Sequence, residues 1–151
     1  MVKKLQLDYE DDNEYYYLGI SSSINDYQLV FDLNKHLNMN FRRVEAFRFS
    51  NNGEEFTYSL YTYIDDDNMV NYYLLANKDV SKRLIPQFKH IDFILIVEGE
   101  IIDEEVKTLA RDIKKLSRVM LASQLSADNF DKIKGLRYEF DLHLEKVFQN
   151  M

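Results

Sequence analysis

The chain predicts an α+β fold: two layers, with two main helices laid against a mainly antiparallel sheet of about six strands. Three stretches carry this reading. Residues 54–64 alternate, with Phe56, Tyr58, Leu60, Thr62 and Ile64 on one face and Thr57, Ser59, Tyr61 and Tyr63 on the other, which is the period of a strand. Val106, Leu109, Ala110, Ile113 and Leu116 recur at helical spacing and form one apolar stripe. Phe93-Ile94-Leu95-Ile96-Val97 is the one long apolar run. A strand with no polar side must be covered on both faces, so this one belongs in the centre of the sheet.

The remaining elements follow in order. Tyr15 to Ser21 reads as a first strand after the acidic stretch Glu10 to Glu14. Ser21-Ser22-Ser23 leads into a helix from about Ile24 to Leu37, in which Ile24, Tyr27, Val30, Phe31, Leu33 and Leu37 supply the apolar positions. Ser23 and Asp26 stand in the spacing of a capping box, although Glu or Gln is the usual third-position partner. A strand from Phe41 to Phe49, the turn Asn51-Asn52-Gly53, the alternating strand, the turn Asp65-Asp66-Asp67-Asn68 and a strand from Met69 to Ala76 make three consecutive antiparallel strands. A connection of about a dozen residues after Asn77-Lys78 holds Pro86, the only proline, and leads into the strand at Asp92 to Glu98. Pro86 locks its own backbone and biases Ile85 towards an extended form. Asp103-Glu104-Glu105 opens the second helix, and Arg111, Lys114 and Lys115 lie near its end, as the helix dipole favours. A strand at Val119 to Leu125 and a short turn at 127–134 follow. From Leu136 the tail fits both periods; it is read as a strand to about Phe140 and a short C-terminal helix beyond. The order β, α, β, β, β, β, α, β admits a variant of the ferredoxin-like arrangement.

Composition bounds the function. At 151 residues, without a linker or repeat, the chain is read as a single domain spanning 1–151. Hydrophobic residues at 46% and charged residues at 30% describe a globular chain and not a disordered one. With no cysteine, disulfide scaffolds, thiolate nucleophiles and cysteine-bound zinc or iron-sulfur sites are excluded. No apolar run reaches the length of a signal peptide or a bilayer span, so a cytoplasmic location without membrane association is expected. The net charge of -7 opposes nucleic acids and anionic lipids at long range. Arg42 and Arg43 are adjacent, and Lys107, Arg111, Lys114, Lys115 and Arg118 cluster, but the second group lies on one predicted helix whose last turns favour cations.

No catalytic constellation is spelled out. Asp65-Asp66-Asp67-Asn68 lacks the glycine and the distal glutamate of a calcium loop and reads as a solvated hairpin tip. Gly19-Ile20-Ser21-Ser22-Ser23 lacks the second glycine of a nucleophile turn, and helix capping accounts for its serines better. His36, His90 and His143 have no paired spacing. His90 and Asp92, two apart on an extended segment, share one face and could orient an imidazole. The four glycines are scattered, which removes the usual phosphate loop. No cofactor and no metal is expected. Tyr58, Tyr61, Tyr63, Tyr72 and Tyr73 lie on predicted strands and could stack bases, yet the basic glycine-aromatic motif of RNA-binding sheets is missing.

Ile85-Pro86-Gln87-Phe88-Lys89-His90-Ile91-Asp92-Phe93 resembles the signature of the IPExxxVDY family, small bacterial proteins of unknown function. Leu5-Gln6-Leu7-Asp8, Leu18-Gly19-Ile20, Asp26-Tyr27, Leu29, Asn34, Asn77-Lys78 and Lys132-Ile133-Lys134 agree with it collinearly, over about residues 3 to 140, leaving 141–151 as a C-terminal extension. Gln87 stands where the family has Glu, Ile91 where it has Val and Phe93 where it has Tyr. Glutamine can serve neither as general acid nor as general base, so the segment is expected to be structural or to take part in recognition. The resemblance implies no activity, ligand or partner. Asp26, Tyr27, Pro86, Lys89, Asp92 and Phe93 are its candidate structural or interaction positions. The expected function is a non-enzymatic domain acting through protein contacts, as a homodimer or an accessory subunit. RNA binding through sheet tyrosines and a basic helix is one alternative, and a small-molecule site near His90 and Asp92 another.

Overall fold

The apolar run at 93–97 is the middle of a six-stranded sheet. A computed structural model describes residues 15–51, 53–78 and 83–150. Its elements are β1 (Tyr15–Ser22), α1 (Asp26–Leu37), β2 (Arg42–Asn51), β3 (Glu54–Asp65), β4 (Val70–Ala76), β5 (Phe93–Gly99), α2 (Asp103–Lys114), β6 (Val119–Leu125), α3 (Ala127–Asp131) and α4 (Leu136–Gln149). The strands lie in the order β2-β3-β4-β5-β1-β6, and every neighbouring pair is antiparallel. The fold is therefore α+β, as expected. β1, α1, β4, β5, α2 and β6 trace the split β-α-β-β-α-β path of ferredoxin-like folds, and the β2–β3 hairpin is inserted between α1 and β4.

β5 sits between β4 and β1, with Ile96 opposite Tyr73 on one side and Tyr17 on the other. Ile94, Leu95, Ile96 and Val97 are all fully buried. Each such side chain contributes about 1.5–3 kcal/mol by leaving water. Leu95 and Val97 point to the face covered by α1 and α2, where Leu29, Val30 and Leu33 join Val106, Ala110 and Ile113. Ile94 and Ile96 point to the other face, where Phe130 of α3, Leu136, Phe140 and Leu144 of α4, and Leu84 and Ile85 of the Pro86 connection close over them. The helix layer on the sheet is thus joined by a second cover on the opposite side.

That second cover is where the structure departs from the sequence reading. The stretch at 127–134 begins with the short helix α3, and the tail is helical from Leu136 and not a strand to Phe140. Leu136, Phe140, Leu144 and Val147 share one helical stripe and are buried, whereas Tyr138 and Leu142, which a strand would place beside Leu136 and Phe140, are exposed. The sheet face bearing Phe47, Tyr73 and Ile96 needs an apolar stripe of that length, and only the helical period supplies one. α4 runs through residue 140 without a break, so residues 141–149 of the extension continue an element of the core.

α1 also differs in detail. Its cap is Asn25 and not Ser23: Gln28 N–H donates to Asn25 Oδ1 at 3.2 Å and Asn25 N–H donates to Gln28 Oε1 at 3.2 Å, a capping box with the usual glutamine. Leu29, Val30 and Leu33 face the sheet, which turns Tyr27 and Phe31, expected in the apolar stripe, out to solvent. Gly99 ends β5 at φ 127°, and a Cβ there would run into the Met69 carbonyl, so only glycine fits.

The sheet tyrosines set the response to alkali. Burial holds the phenols of Tyr15, Tyr17 and Tyr73 far above their usual value, and burial pushes Tyr72 up to about 12. These groups stay neutral in the folded chain and ionise near pH 10 once exposed, so above pH 10 unfolding releases protons. Stability is fully present below pH 10 and falls as the pH rises towards the folded values, by about 1.4 kcal/mol per pH unit for each enclosed phenol. Urea midpoints are expected to be flat up to about pH 9 and to drop steeply by about pH 11, with a shallower slope in Tyr73→Phe.

Candidate functional site

The segment around Pro86 is organised by one buried side chain, Asn77, which follows β4 and is fully enclosed. Its Oδ1 accepts from Ile85 N–H at 2.9 Å, and its Nδ2 donates to the carbonyls of Ile91 at 2.9 Å and Phe88 at 3.2 Å. Its backbone adds two bonds: Asn77 N–H donates to the Asp92 carbonyl at 2.9 Å, and Leu84 N–H donates to the Asn77 carbonyl at 2.6 Å. Two tight turns complete the loop, Phe88 N–H to Ile85 and Ile91 N–H to Phe88. A connection that dips its Leu84 and Ile85 into the core must satisfy its backbone without water, and Asn77 does most of this.

Asp92 closes the same corner. Its Oδ2 accepts from Ser22 N–H at 2.9 Å, beside the register shift at the end of β1. Its Oδ1 lies 3.7 Å from both Lys78 Nζ and Arg83 Nη2, two residues brought side by side by an isolated bridge. Arg83 also donates to the Ile91 carbonyl at 2.6 Å. The partners of Asp92 are thus Ser22, Lys78 and Arg83, while His90 is exposed on the loop. Phe93 is buried in the core beneath α1 and α2. Pro86, Gln87 and Lys89 are exposed, held in place by the Asn77 bonds beneath them.

Next to this corner lies a cleft of about 720 Å³ at the N-terminal end of α1. Ser22 to Asp26 form one wall, Asp92, Phe93 and Lys78 a second, and Met120 of β6 a third. Three of the sequence-selected positions, Asp26, Asp92 and Phe93, therefore meet here. Pro86 and Lys89 do not line it, and Tyr27 stands outside it on the solvent side of α1, 62% exposed, with Phe31 at 59% one turn on. Asp26 Oδ1 accepts from Tyr27 N–H at 2.8 Å, and its Oδ2 lies 3.8 Å from Arg43 Nη1. Arg43 reaches Tyr61, whose phenol is raised by burial and then by the Asp26 charge. Each carboxylate at the cleft thus faces at least one cation, and the local charge nearly cancels.

The serine run has structural duties. Ser22 Oγ donates to the Arg118 carbonyl at 2.6 Å, and Arg118 in turn meets both oxygens of the buried Asp32 at 3.2 Å. Asp65 accepts from Asn68 at the hairpin tip, and among the described residues no three acidic or histidine side chains gather where a metal ion could be held. Tyr58, Tyr61 and Tyr73 are buried, and Tyr63 stacks on Tyr72 with centroids 5.1 Å apart, so the sheet tyrosines serve packing. Among the described residues no helix is long and apolar enough to cross a membrane.

Sequence reasoning missed Arg83, Met120 and the exposure of Tyr27 and Phe31. The stronger apolar triplet Leu29, Val30 and Leu33 was the available signal for the last; the first two arise from contacts distant in sequence. Compared with family models and with curated proteins, the chain matches none. The likeness to IPExxxVDY proteins rests on the residues quoted above.

Replacing Asn77 by Ala leaves the buried Ile85 N–H without a partner and takes one of two donors from each of the Phe88 and Ile91 carbonyls, a loss of about 1–3 kcal/mol. Urea unfolding of Asn77→Ala is expected to show that loss, while Gln87→Ala on the exposed rim changes the midpoint within about 0.5 kcal/mol.

Proposed function

We propose that this protein is a non-enzymatic, cytoplasmic domain that acts by binding another protein, and that its binding face is the outer side of α1 together with the cleft at its N-terminal end. One observation carries the reading: Tyr27 and Phe31 present two rings to solvent one helical turn apart, on a helix whose opposite side already fills the core. Aromatic rings are enriched at protein interfaces, where they offer large contact area at small entropic cost. The cleft beside them is lined by paired charges and by Met120, a flexible side chain that adapts to a partner. Asp92 and Phe93 serve this face indirectly by fixing the ends of β1 and β5 that form the cleft floor. The corner that resembles the IPExxxVDY signature is a support in this reading, and a glutamine at position 87 suits it as well as a glutamate.

A photo-crosslinking residue at position 31, expressed in the native cell, is expected to yield a discrete protein adduct. The same residue at position 27 should give the same adduct, and position 138 on α4 should not. The surface change Tyr27→Ala with Phe31→Ala should abolish capture at a crosslinker placed at position 23 of the cleft while shifting the melting temperature little. Equal labelling from 31 and 138, or no adduct from α1 at all, would contradict the reading.

A further inference from the structure

We propose that the chain pairs with a second copy of itself through the free edge of β6, the two strands running antiparallel about a two-fold axis near Ala122. This edge is separate from the outer face of α1 and shares only Met120 with the cleft beside it. The strand order leaves β2 and β6 as the two outer strands, and any outer strand presents N–H and C=O groups with no partner inside the sheet.

The two edges are treated differently. β2 carries Arg42, Arg43, Glu45 and Arg48, and its register breaks between Val44 and Phe47. At that break His143 of α4 contacts the Glu45 carbonyl at 2.7 Å, so a helix residue occupies part of the edge. These are the devices that keep a strand from adding to another sheet. β6 reads Val119-Met120-Leu121-Ala122-Ser123-Gln124-Leu125, with no charge and no proline. Its pairing with β1 shifts register once, between Val119 and Leu121, and is regular from Leu121 to Leu125, and Met120 and Leu121 are exposed.

The charge pattern on α2 identifies the partner as a second copy. α2 lies on β6 and runs antiparallel to it: Gln124 near the end of the strand donates to Asp103 at the start of the helix at 3.0 Å, and Val119 N–H bonds to Leu116 just beyond the helix end. The first turn of α2 carries Asp103, Glu104 and Glu105, and its last turns carry Arg111 and Lys114. A two-fold axis across β6 sets the two copies of α2 side by side in opposite directions on the same face of the joined sheet. The acidic start of each then meets the basic end of the other, twice by symmetry. Glu104, Arg111 and Lys114 are exposed and have no ion pair within the chain among the described residues. The strand edge is uncharged, so the seam itself carries no like-charge repulsion.

Sedimentation of the full chain over a range of concentrations tests this. The wild type is expected to reach the mass of two chains by about 100 µM, and Leu121→Lys to weaken the association at least about tenfold with its melting temperature kept. Glu104→Lys and Lys114→Glu alone should each weaken it, and the double variant should restore it, because the swap re-creates both cross-axis contacts. A wild type that stays a monomer throughout overturns the proposal. So does a dimer indifferent to Leu121→Lys and to the charge swap, which would place the contact elsewhere. Should Leu121→Lys fail to fold, the charge-swap set decides alone.

Discussion

A strand without a polar side is the constraint from which the rest of this architecture follows. β5 has no face it can show to water, so both faces of the sheet need cover, and the chain must supply two sets of apolar side chains. α1 and α2 give the first set, as the crossovers of a split β-α-β-β-α-β path do by construction. The second set has no such ready source. It is assembled from α3, α4 and the residues just before Pro86. β4 and β5 are neighbours that a tight hairpin could have joined. The longer connection lets Leu84 and Ile85 reach the uncovered face, and the cost of burying that loop is offset by the five hydrogen bonds centred on Asn77.

The polar groups near this corner are committed to the same task. Asp92 holds the end of β1 to the start of β5 and draws Lys78 and Arg83 in around it. Ser22 and Asp32 fix Arg118, and with it the turn between α2 and β6. A carboxylate whose oxygens are taken up by a backbone N–H and two cations has little hydrogen-bonding capacity left for a ligand. What packing leaves over is two rings on α1, a methionine at the cleft and an uncharged outer strand, and the proposed recognition rests on these.

Most of the fold was legible because its signals are local. The alternation at 54–64, the apolar run at 93–97 and the stripe of α2 each fix an element from its own residues, and β6 keeps the bounds read from sequence. The errors came where two periods or two faces competed. Tyr27 and Phe31 have helical spacing, but Leu29, Val30 and Leu33 form the more apolar side and win the sheet. Leu136, Tyr138, Phe140 and Leu142 alternate like a strand, yet Phe140, Leu144 and Val147 outweigh them once a whole sheet face is waiting for a helix. Asn25 displaced Ser23 as the cap because glutamine at 28 completes a reciprocal pair that aspartate at 26 does not. Of the site, Asp92 and Phe93 were visible as members of a distinctive segment. That Asp26 would join them, and Pro86 and Lys89 would not, depends on contacts across β1 and α1 that no local pattern encodes.

The inserted β2–β3 hairpin explains why the C-terminal helix is long. Without it β4 would be the outer strand; with it the sheet extends to Phe47, Phe49 and Tyr58, whose side chains lie on the face opposite α1 and α2. α4 covers that extension: Phe140 meets Phe47 and Tyr73 edge-on at 5.3 Å and 6.1 Å, and Phe148 reaches Tyr73 at 6.3 Å. His143 then finishes the far edge at Glu45. Hairpin and helix therefore stabilise each other across the sheet, and together they close the side of the molecule that β2 bounds. On the β6 side the strand itself carries no charge, and its one irregularity is the register shift between Val119 and Leu121. Under the proposed pairing the uncharged edge is where the sheet adds a copy, and the two-fold contact, which uses the β6 edge of both copies, stops the addition at one.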